Sequence, residues 1–165
     1  NERLLVLVAE DSSECALAAP QINPAIASCT HVVVEVDLLE LAPELRSERC
    51  RLRSPGTTSI DFAYSLSPDA EATTTLRQTV LSGRDQDSDV FFSVSGVNST
   101  SSASVPLGTG FVNLKEIWRQ GRDLRRQQIE ILFDERRLGG LEISLRASSA
   151  LHALLSPRCP ALVCF

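Results

Sequence analysis

The sequence lacks several features that mark particular classes of protein. No apolar run approaches the 18 or more residues of a membrane-spanning helix. A signal-peptide pattern and an N-terminal methionine are both missing, which indicates a domain cut from a longer protein. Basic residues are in the minority, with 16 Lys and Arg against 21 Asp and Glu and a net charge of −5. Because nucleic-acid binding needs a basic face, this balance argues against a general nucleic-acid binder.

Closely spaced cysteines and histidines are also missing. The five cysteines form no C-x-x-C pair and lie at Cys15, Cys29, Cys50, Cys159 and Cys164. The two histidines, His31 and His152, have no second ligand at metal spacing. The pattern argues against a zinc ribbon and a redox motif. It predicts no metal site, and reduced thiols in a cytosolic protein.

A catalytic set is missing as well. Serine, histidine and aspartate are all present, yet no G-x-S-x-G elbow frames a serine and neither histidine is flanked by a nucleophile. Active sites need several convergent groups. We therefore expect no enzymatic activity, no catalytic residues and no cofactor.

What the sequence does contain is a two-residue hydrophobic period, in a chain that is 43% hydrophobic. Alternation of apolar and polar residues predicts strands over 4–9, 31–38, 59–64, 91–94, 107–114, 128–133 and 141–147, with a weaker candidate at 49–53. Short strands separated by turn signals are typical of a sandwich. We predict an all-β, antiparallel, eight-stranded β-sandwich with one or two short helices in its connections.

The same period assigns residues to the core and to turns. The predicted core comprises Val34, Phe62, Phe92, Val94, Phe111, Ile131, Ile143 and Leu145. Glycines at the alternate positions Gly108 and Gly110 predict a bulge or a close backbone approach. Gly139 and Gly140 predict a tight hairpin turn at 137–140, because glycine readily adopts positive φ.

Capping signals predict two helices and a further turn. The first helix begins at the Ser-Pro pair at 67–68 and ends at Gly83. Its apolar face is predicted to carry Thr73, Leu76 and Val80. The second helix begins at Asn113, which forms a capping box with Glu116, and ends at Gly121. A third helical turn is predicted over 150–155.

An acidic cluster is the first candidate binding site. Asp85, Asp87 and Asp89 resemble the opening of an EF-hand calcium loop. Val90 and Gly96 stand where that loop needs a glycine and a glutamate. The cluster is therefore predicted to be a solvated acidic turn.

A basic cluster is the second candidate. It consists of Arg119, Arg122, Arg125 and Arg126 around Asp123. Arg136 and Arg137 join it if the predicted hairpin folds back. Two interpretations remain open. The arginines contact an acidic partner or anionic lipid, or they pair with Asp123, Asp134 and Glu135 on a solvated turn.

The residues at 90–94 and 107–114, with a loop between them, resemble the central signature of C2 domains. In that family an apolar strand leads into a calcium loop, and the next strand begins with a hydrophobic–glycine pair. Calcium-binding members carry aspartates two and four residues after the valine that matches Val94, where this chain has Gly96 and Asn98. Cys29-Thr30-His31 stands in place of an Asp-Pro-Tyr-like step. The resemblance implies a C2 fold without the calcium ligands.

Two further motifs extend the resemblance. Gly121-Arg122-Asp123-Leu124 after a short helix, and Ala150-Leu151-His152-Ala153-Leu154 after the last strand, resemble the C-terminal C2 domain of the retinitis-pigmentosa-GTPase-regulator-interacting protein family, including its ciliary paralogue. The resemblance spans residues 4–155. It implies a single C2 domain over 1–155 and a separate tail at 156–165. An arginine-rich loop at 46–53 replaces the family's proline-rich loop.

The resemblance implies a non-catalytic, calcium-independent protein-interaction module. In that family the domain docks on the β-propeller of the regulator, so we expect a ciliary protein partner and a location at the transition zone or basal body, on the cytoplasmic side. Our candidate contact residues are Arg119, Arg122, Asp123, Arg125 and Arg126. The alternative is a C2 domain that binds a lipid surface. It is disfavoured because the loop tips at 15–27 and 98–104 lack Arg and Lys.

The missing calcium aspartates lead to a direct prediction. Addition of 1 mM Ca²⁺ is expected to leave the melting temperature unchanged, as followed by thermal denaturation. A site with a Kd of about 0.1 mM would raise the free energy of unfolding by roughly 1–1.5 kcal/mol at that concentration. A thermal shift that EGTA reverses would contradict the prediction and direct attention to 85–89.

Overall fold

The computed structural model describes residues 3–10, 23–39, 45–51, 57–65, 71–98 and 103–155; for 3–10 and 57–65 the description covers the backbone. The strands are β1 (Arg3–Glu10), β2 (His31–Asp37), β3 (Leu45–Arg46), β4 (Cys50–Arg51), β5 (Thr57–Ser65), β6 (Asp89–Val97), β7 (Ser104–Asn113), β8 (Leu124–Phe133) and β9 (Arg136–Arg146). The α-helices are α1 (Glu71–Leu81), α2 (Leu114–Gln120) and α3 (Ser148–Leu155). Single 3₁₀ turns lie at Pro24–Ser28 and Asp85–Ser88.

Every strand pairing in the described residues is antiparallel, as predicted. The strand order is β3-β2-β6-β7-β8-β9-β1-β5, with β4 also paired to β2. Strands β7 and β8 pair only between Thr109 and Leu132. We divide the path at this junction into two layers, one ending at β7 and the other beginning at β8. One hydrophobic core is built from both, as in a sandwich.

Two of the described strands are only two residues long, which brings their number to nine against the eight expected. The weak candidate at 49–53 is present as β4, which pairs with the start of β2. Strand β3 was not predicted, because two residues carry no detectable period. The predicted fold class is otherwise confirmed.

The core confirms most of the predicted residues. Val34, Phe92, Val94, Ile131, Ile143 and Leu145 are each at most 6% exposed. The side chain of Phe62 lies outside the described set.

The placement of Phe111 in the core was wrong, since its side chain is 55% exposed. Strand β7 has a bulge: Val94 pairs with Gly108 and Ser95 pairs with Pro106, which leaves Leu107 without a partner. An extra residue reverses which face the following side chains take. Leu107 points inward, and Phe111, four residues on, points outward.

The glycines of β7 confirm the predicted close approach. A Cβ atom on Gly108 would lie 2.7 Å from the carbonyl oxygen of Leu132. One on Gly110 would lie 2.6 Å from the carbonyl oxygen of Glu130. The backbone of β8 therefore occupies the space that a side chain on β7 would need.

The predicted hairpin turn at 137–140 was wrong. The turn between β8 and β9 is at Asp134 and Glu135, which have φ angles of 52° and 63°, and Phe133 pairs with Arg136. Positive φ at both central residues is the geometry of a type I′ turn, whose twist matches the flanking strands. Gly139 and Gly140 lie inside β9 instead.

The helices follow their predicted signals. Helix α1 buries Thr73, Leu76 and Val80; the Ser-Pro pair at 67–68 lies outside the described residues. At the start of α2 the Asn113 side chain accepts a hydrogen bond from the Glu116 amide at 3.0 Å. The helix ends at Gly121, whose φ is 64°. Helix α3 begins two residues earlier than predicted. Among the described residues, no helix is long and apolar enough to cross a membrane.

The close approach at Gly110 makes the first structural prediction. Gly110→Ala is expected to lower the free energy of unfolding by about 1–3 kcal/mol, because the added methyl group would overlap a backbone carbonyl that cannot rotate away. Thermal or urea denaturation measures this. Gly83→Ala is the matched control, since nothing lies within 4 Å of a Cβ there and its φ is not positive. Equal stability of the two variants would contradict the packing argument.

Candidate functional site

The predicted basic cluster lies where α2 passes into β8. Residues 121–123 form the connection, and Gly121 allows it by adopting the left-handed conformation that ends α2. Its backbone N–H donates to the carbonyls of Ile117 and Trp118. The five predicted residues are thereby placed on one short stretch of chain, although their side chains do different things.

Asp123 holds the start of α3. Its carboxylate oxygen Oδ1 accepts hydrogen bonds from the Ala147 amide at 3.0 Å, the Ser148 amide at 2.9 Å and the Ser148 hydroxyl at 2.8 Å. Partial burial acts to raise the pKa of Asp123, but the hydrogen bonds from Ser148 and Ala147 outweigh it and lower the pKa below its ordinary value. Asp123 therefore caps a helix 24 residues further along the chain.

Arg126 lies in a bulge of β8. Leu124 pairs with Leu145 and Gln127 pairs with Ile143, so two residues of β8 stand opposite Ser144 alone. Arg126 takes a φ of 50°, and its amide donates to the Ser144 hydroxyl at 3.0 Å. Its guanidinium lies 2.8 Å from the Glu142 carboxylate, and this hydrogen bond and charge raise the pKa of Arg126. Arg126 is thus engaged within the sheet.

The other three arginines differ in their partners. Arg119 lies 3.5 Å from the carboxylate of Asp85. Arg122 donates to the neutral side chain of Gln120 at 2.9 Å. Arg125, the other residue of the bulge, forms no salt bridge within the described residues, although its charge helps to lower the pKa of Asp123. Among the residues that the structure describes, no carboxylate therefore lies at salt-bridge distance from Arg122 or Arg125.

The hairpin does not bring Arg136 and Arg137 to this cluster. Arg136 pairs with Phe133 at one end of β8, whereas the arginine bulge is at the other end. Arg137 lies 3.5 Å from Glu130 instead. Arg126 and Phe133 are seven residues apart on β8, which separates the two groups by about 23 Å along the strand.

The basic cluster borders a cleft between β7, α2 and β8 with a volume of about 570 Å³. It is lined by Phe111, Val112, Asn113, Glu116, Ile117, Gln120, Arg122, Asp123, Leu124, Arg125, Gln127 and Ile129. Ile117 and Ile129 are buried, Leu124 is half-buried, and the exposed arginines lie at the rim. The cleft thus combines apolar surface with unpaired positive charge.

An exposed aromatic pair adjoins this cleft and was not foreseen. Phe91 and Phe111 are cross-strand neighbours on β6 and β7, and their ring centroids are 6.1 Å apart. Their side chains are 44% and 55% exposed. Strict alternation along β7 places Phe111 on the inner face, because it does not allow for the extra residue at Leu107. A signal for that bulge would have placed Phe111 beside Phe91 on the outer face. Paired exposed rings are typical of contact surfaces.

The acidic cluster is engaged in contacts of its own. Asp85 accepts from Lys115 Nζ at 2.8 Å, and this hydrogen bond and charge lower the pKa of Asp85. The Asp87 carboxylate lies 3.3 Å from the Arg84 guanidinium. The Asp89 carboxylate accepts a hydrogen bond from the side-chain Nδ2 of Asn113 at 2.7 Å. Within the part of the chain that the structure describes, no three metal-ligating side chains are grouped as a metal site would require.

Comparisons with known proteins reveal the fold. No protein-family model and no curated protein sequence matches the chain. Among solved structures it is similar to CC2D1B, which acts in the mitotic reformation of the nuclear envelope, with a TM-score of 0.57 and 14% identity over 93% of this chain and 60% of that one. It is also similar to a C2 domain-containing protein, with a TM-score of 0.52 and 12% identity over 87% of this chain and 86% of that one. The chain therefore has a C2-type fold.

The helix-capping role of Asp123 can be tested by pH. Asp123→Ala is expected to lower the free energy of unfolding by about 1–2 kcal/mol at pH 7, because three donors lose their acceptor. The folded-state pKa of Asp123 lies below its ordinary value of 3.8, so the stabilisation is present above that pH and is lost as the pH falls through the folded pKa.

Urea denaturation of both proteins between pH 7 and pH 2 measures this difference. Asp123→Asn is the control: it keeps one acceptor oxygen and removes the charge, so its loss at pH 7 should be smaller. A difference between Asp123→Ala and the parent protein that does not shrink on acidification would contradict the assignment.

Proposed function

We propose that this domain is a non-catalytic, calcium-independent C2 module that docks on another protein. The observation that carries the proposal is the exposed pair Phe91 and Phe111 beside the cleft. Two large rings held rigidly on neighbouring strands offer apolar contact area with little loss of side-chain entropy on binding. Contacts of this kind suit a folded partner better than a soluble substrate.

Catalysis at the cleft is disfavoured because the carboxylates that line it are engaged in hydrogen bonds within the fold. Asp123 is occupied in capping α3, and Glu116 accepts from the Gln120 side chain at 3.0 Å. General acid–base catalysis needs a titrating group that can reach a substrate proton. The charged residues that remain at the rim, Arg122 and Arg125, bind anions and do not exchange protons near neutral pH.

The proposed setting is a ciliary scaffold at the transition zone or basal body, on the cytoplasmic side, with a β-propeller protein as partner. It rests on the sequence resemblance at 121–124 and 150–154. Both segments also have a structural role: Asp123 ties the first segment to α3, and Leu151 of the second is buried in the core. The contact role of Arg119, Arg122, Asp123, Arg125 and Arg126 is part of the same proposal.

A lipid surface is the second candidate, and one observation favours it. Exposed rings next to unpaired arginines can also insert into a membrane interface with anionic headgroups. Calcium would not be needed for such contact. Liposome sedimentation separates the two functions.

The aromatic pair provides the test. Phe91→Ser is expected to weaken capture of the regulator's β-propeller by about tenfold in a quantitative pull-down, because a buried aromatic anchor contributes more than 1 kcal/mol to binding. Melting should change little, since Phe91 is exposed. Leu81→Ser is the matched control, because Leu81 is 49% exposed on α1 and is not part of the aromatic pair.

Two results would contradict the proposal. One is capture by Phe91→Ser at the parent level. The other is that the parent chain sediments with anionic vesicles and fails to capture the propeller, which would assign the surface to membranes.

A further inference from the structure

We propose that the cleft between β7 and β8 accepts an extended acidic segment of the partner as an added β-strand. This deepens the proposed function, on which it rests, by naming the kind of segment and the place it binds. The carrying observation is that the two strands bordering the cleft separate, and that no strand among the described residues pairs with their edges there.

The separation follows from the pairing pattern. Strand β7 pairs with β6 along its length. On its other side it approaches β8 at 108–110, and its one ladder pair with β8 joins Thr109 to Leu132. Strand β8 likewise pairs with β9 along its length, and with β7 only at Leu132. In the described residues, the edges at 111–113 and 124–129 therefore have no strand neighbour on the cleft side. Unpaired strand edges present backbone donors and acceptors to an incoming chain.

The bulge in β8 shapes one of these edges. Arg125 and Arg126 stand together opposite Ser144, and Arg126 is tied to Glu142. A bulge twists a strand and redirects its side chains. Arg125 is left exposed and lines the cleft. The edge of β8 therefore carries the positive charge of Arg125 near its first residue.

The lining favours a segment that alternates apolar and acidic residues. Phe111 is 55% exposed and provides most of the apolar surface of the cleft, because Ile117 and Ile129 are buried behind it. Apolar side chains at every second residue of an incoming strand suit this surface. Arg122 and Arg125 lie at the rim without salt bridges, and they suit carboxylates on the opposite face. Two acids also line the cleft, Glu116 and Asp123. Glu116 accepts from the Gln120 side chain, and Asp123 accepts from the start of α3. A volume of about 570 Å³ is within the range of about 300–1,000 Å³ typical of ligand pockets.

The test uses defined peptides. A fluorescein-labelled peptide that alternates glutamate and isoleucine over seven residues is titrated against the folded chain and followed by fluorescence anisotropy. The same peptide with lysine in place of glutamate tests charge. A version with proline at its centre tests backbone pairing, since proline donates no N–H and cannot continue a strand ladder.

The expected result is binding of the glutamate peptide, with weaker binding of the lysine and proline peptides. Arg125→Glu should weaken binding of the glutamate peptide by about fivefold to tenfold, since reversing an exposed charge replaces attraction by repulsion. Arg122→Glu is a second variant with the same expectation. Arg136→Glu is the matched control on the same sheet, and it should bind as the parent chain does. The amide NMR signals of 111–113 and 124–129 should shift on binding.

Several results would overturn the proposal. These are no binding of the glutamate peptide, equal binding of the proline peptide, an equal effect of Arg136→Glu, or NMR shifts confined to other residues. Sedimentation with phosphatidylserine vesicles that depends on Arg125, without peptide binding, would assign the cleft to a membrane surface and overturn the proposal as well.

The outcome is distinguishable from failure of the proposed function. If the propeller is captured equally by the parent and by Arg125→Glu, and the peptide does not bind, the strand-addition proposal fails and the docking function stands. If the peptide binds as expected and the propeller is not captured, the cleft assignment stands and the partner is wrong.

Discussion

The close approach of β8 to the glycines of β7 is the contact on which the architecture depends. Carbonyl oxygens of Leu132 and Glu130 fill the positions that side chains at Gly108 and Gly110 would occupy. This is also where the strand order passes between the two layers. The two layers can close over one core because Gly108 and Gly110 of β7 have no side chains at this point. Beyond it the strands separate, α2 connects them, and the cleft remains between.

The charged residues around the cleft differ in whether they have a partner within the described part of the chain. Asp123 accepts a hydrogen bond at the start of α3. Arg126 forms a salt bridge with Glu142, and Arg119 forms one with Asp85. These contacts stabilise the turn, the bulge and the helix, so pairing with nearby acids describes Arg119 and Arg126. Arg122 and Arg125 line the cleft and form no salt bridge within the described part of the chain. Under the docking proposal these two arginines face the partner.

The positions of two β-bulges, one in β7 and one in β8, were not predictable from the sequence pattern, whereas the strands that contain them were. Alternation predicted the main strands, and most of the assigned core residues are buried. A single extra residue at Leu107 reversed the face of Phe111, and a similar insertion placed Arg125 and Arg126 together opposite Ser144. A bulge depends on how two strands pair across the sheet, and a one-strand period carries no information on that. The hairpin turn failed for a related reason, because Asp134 and Glu135 adopt positive φ without glycine.

The sequence by itself determined the elements whose signals are local. The antiparallel class, the buried face of α1, the capping of α2 by Asn113 and its end at Gly121 all follow from residues within a few positions of one another. Only the tertiary structure decided the contacts between distant segments. It joined Asp123 to α3, set Phe91 against Phe111 on the outer face, and left β7 and β8 apart beside the arginines. The physical reason is that such contacts depend on register and layer crossing, which are set by the packing of the whole core.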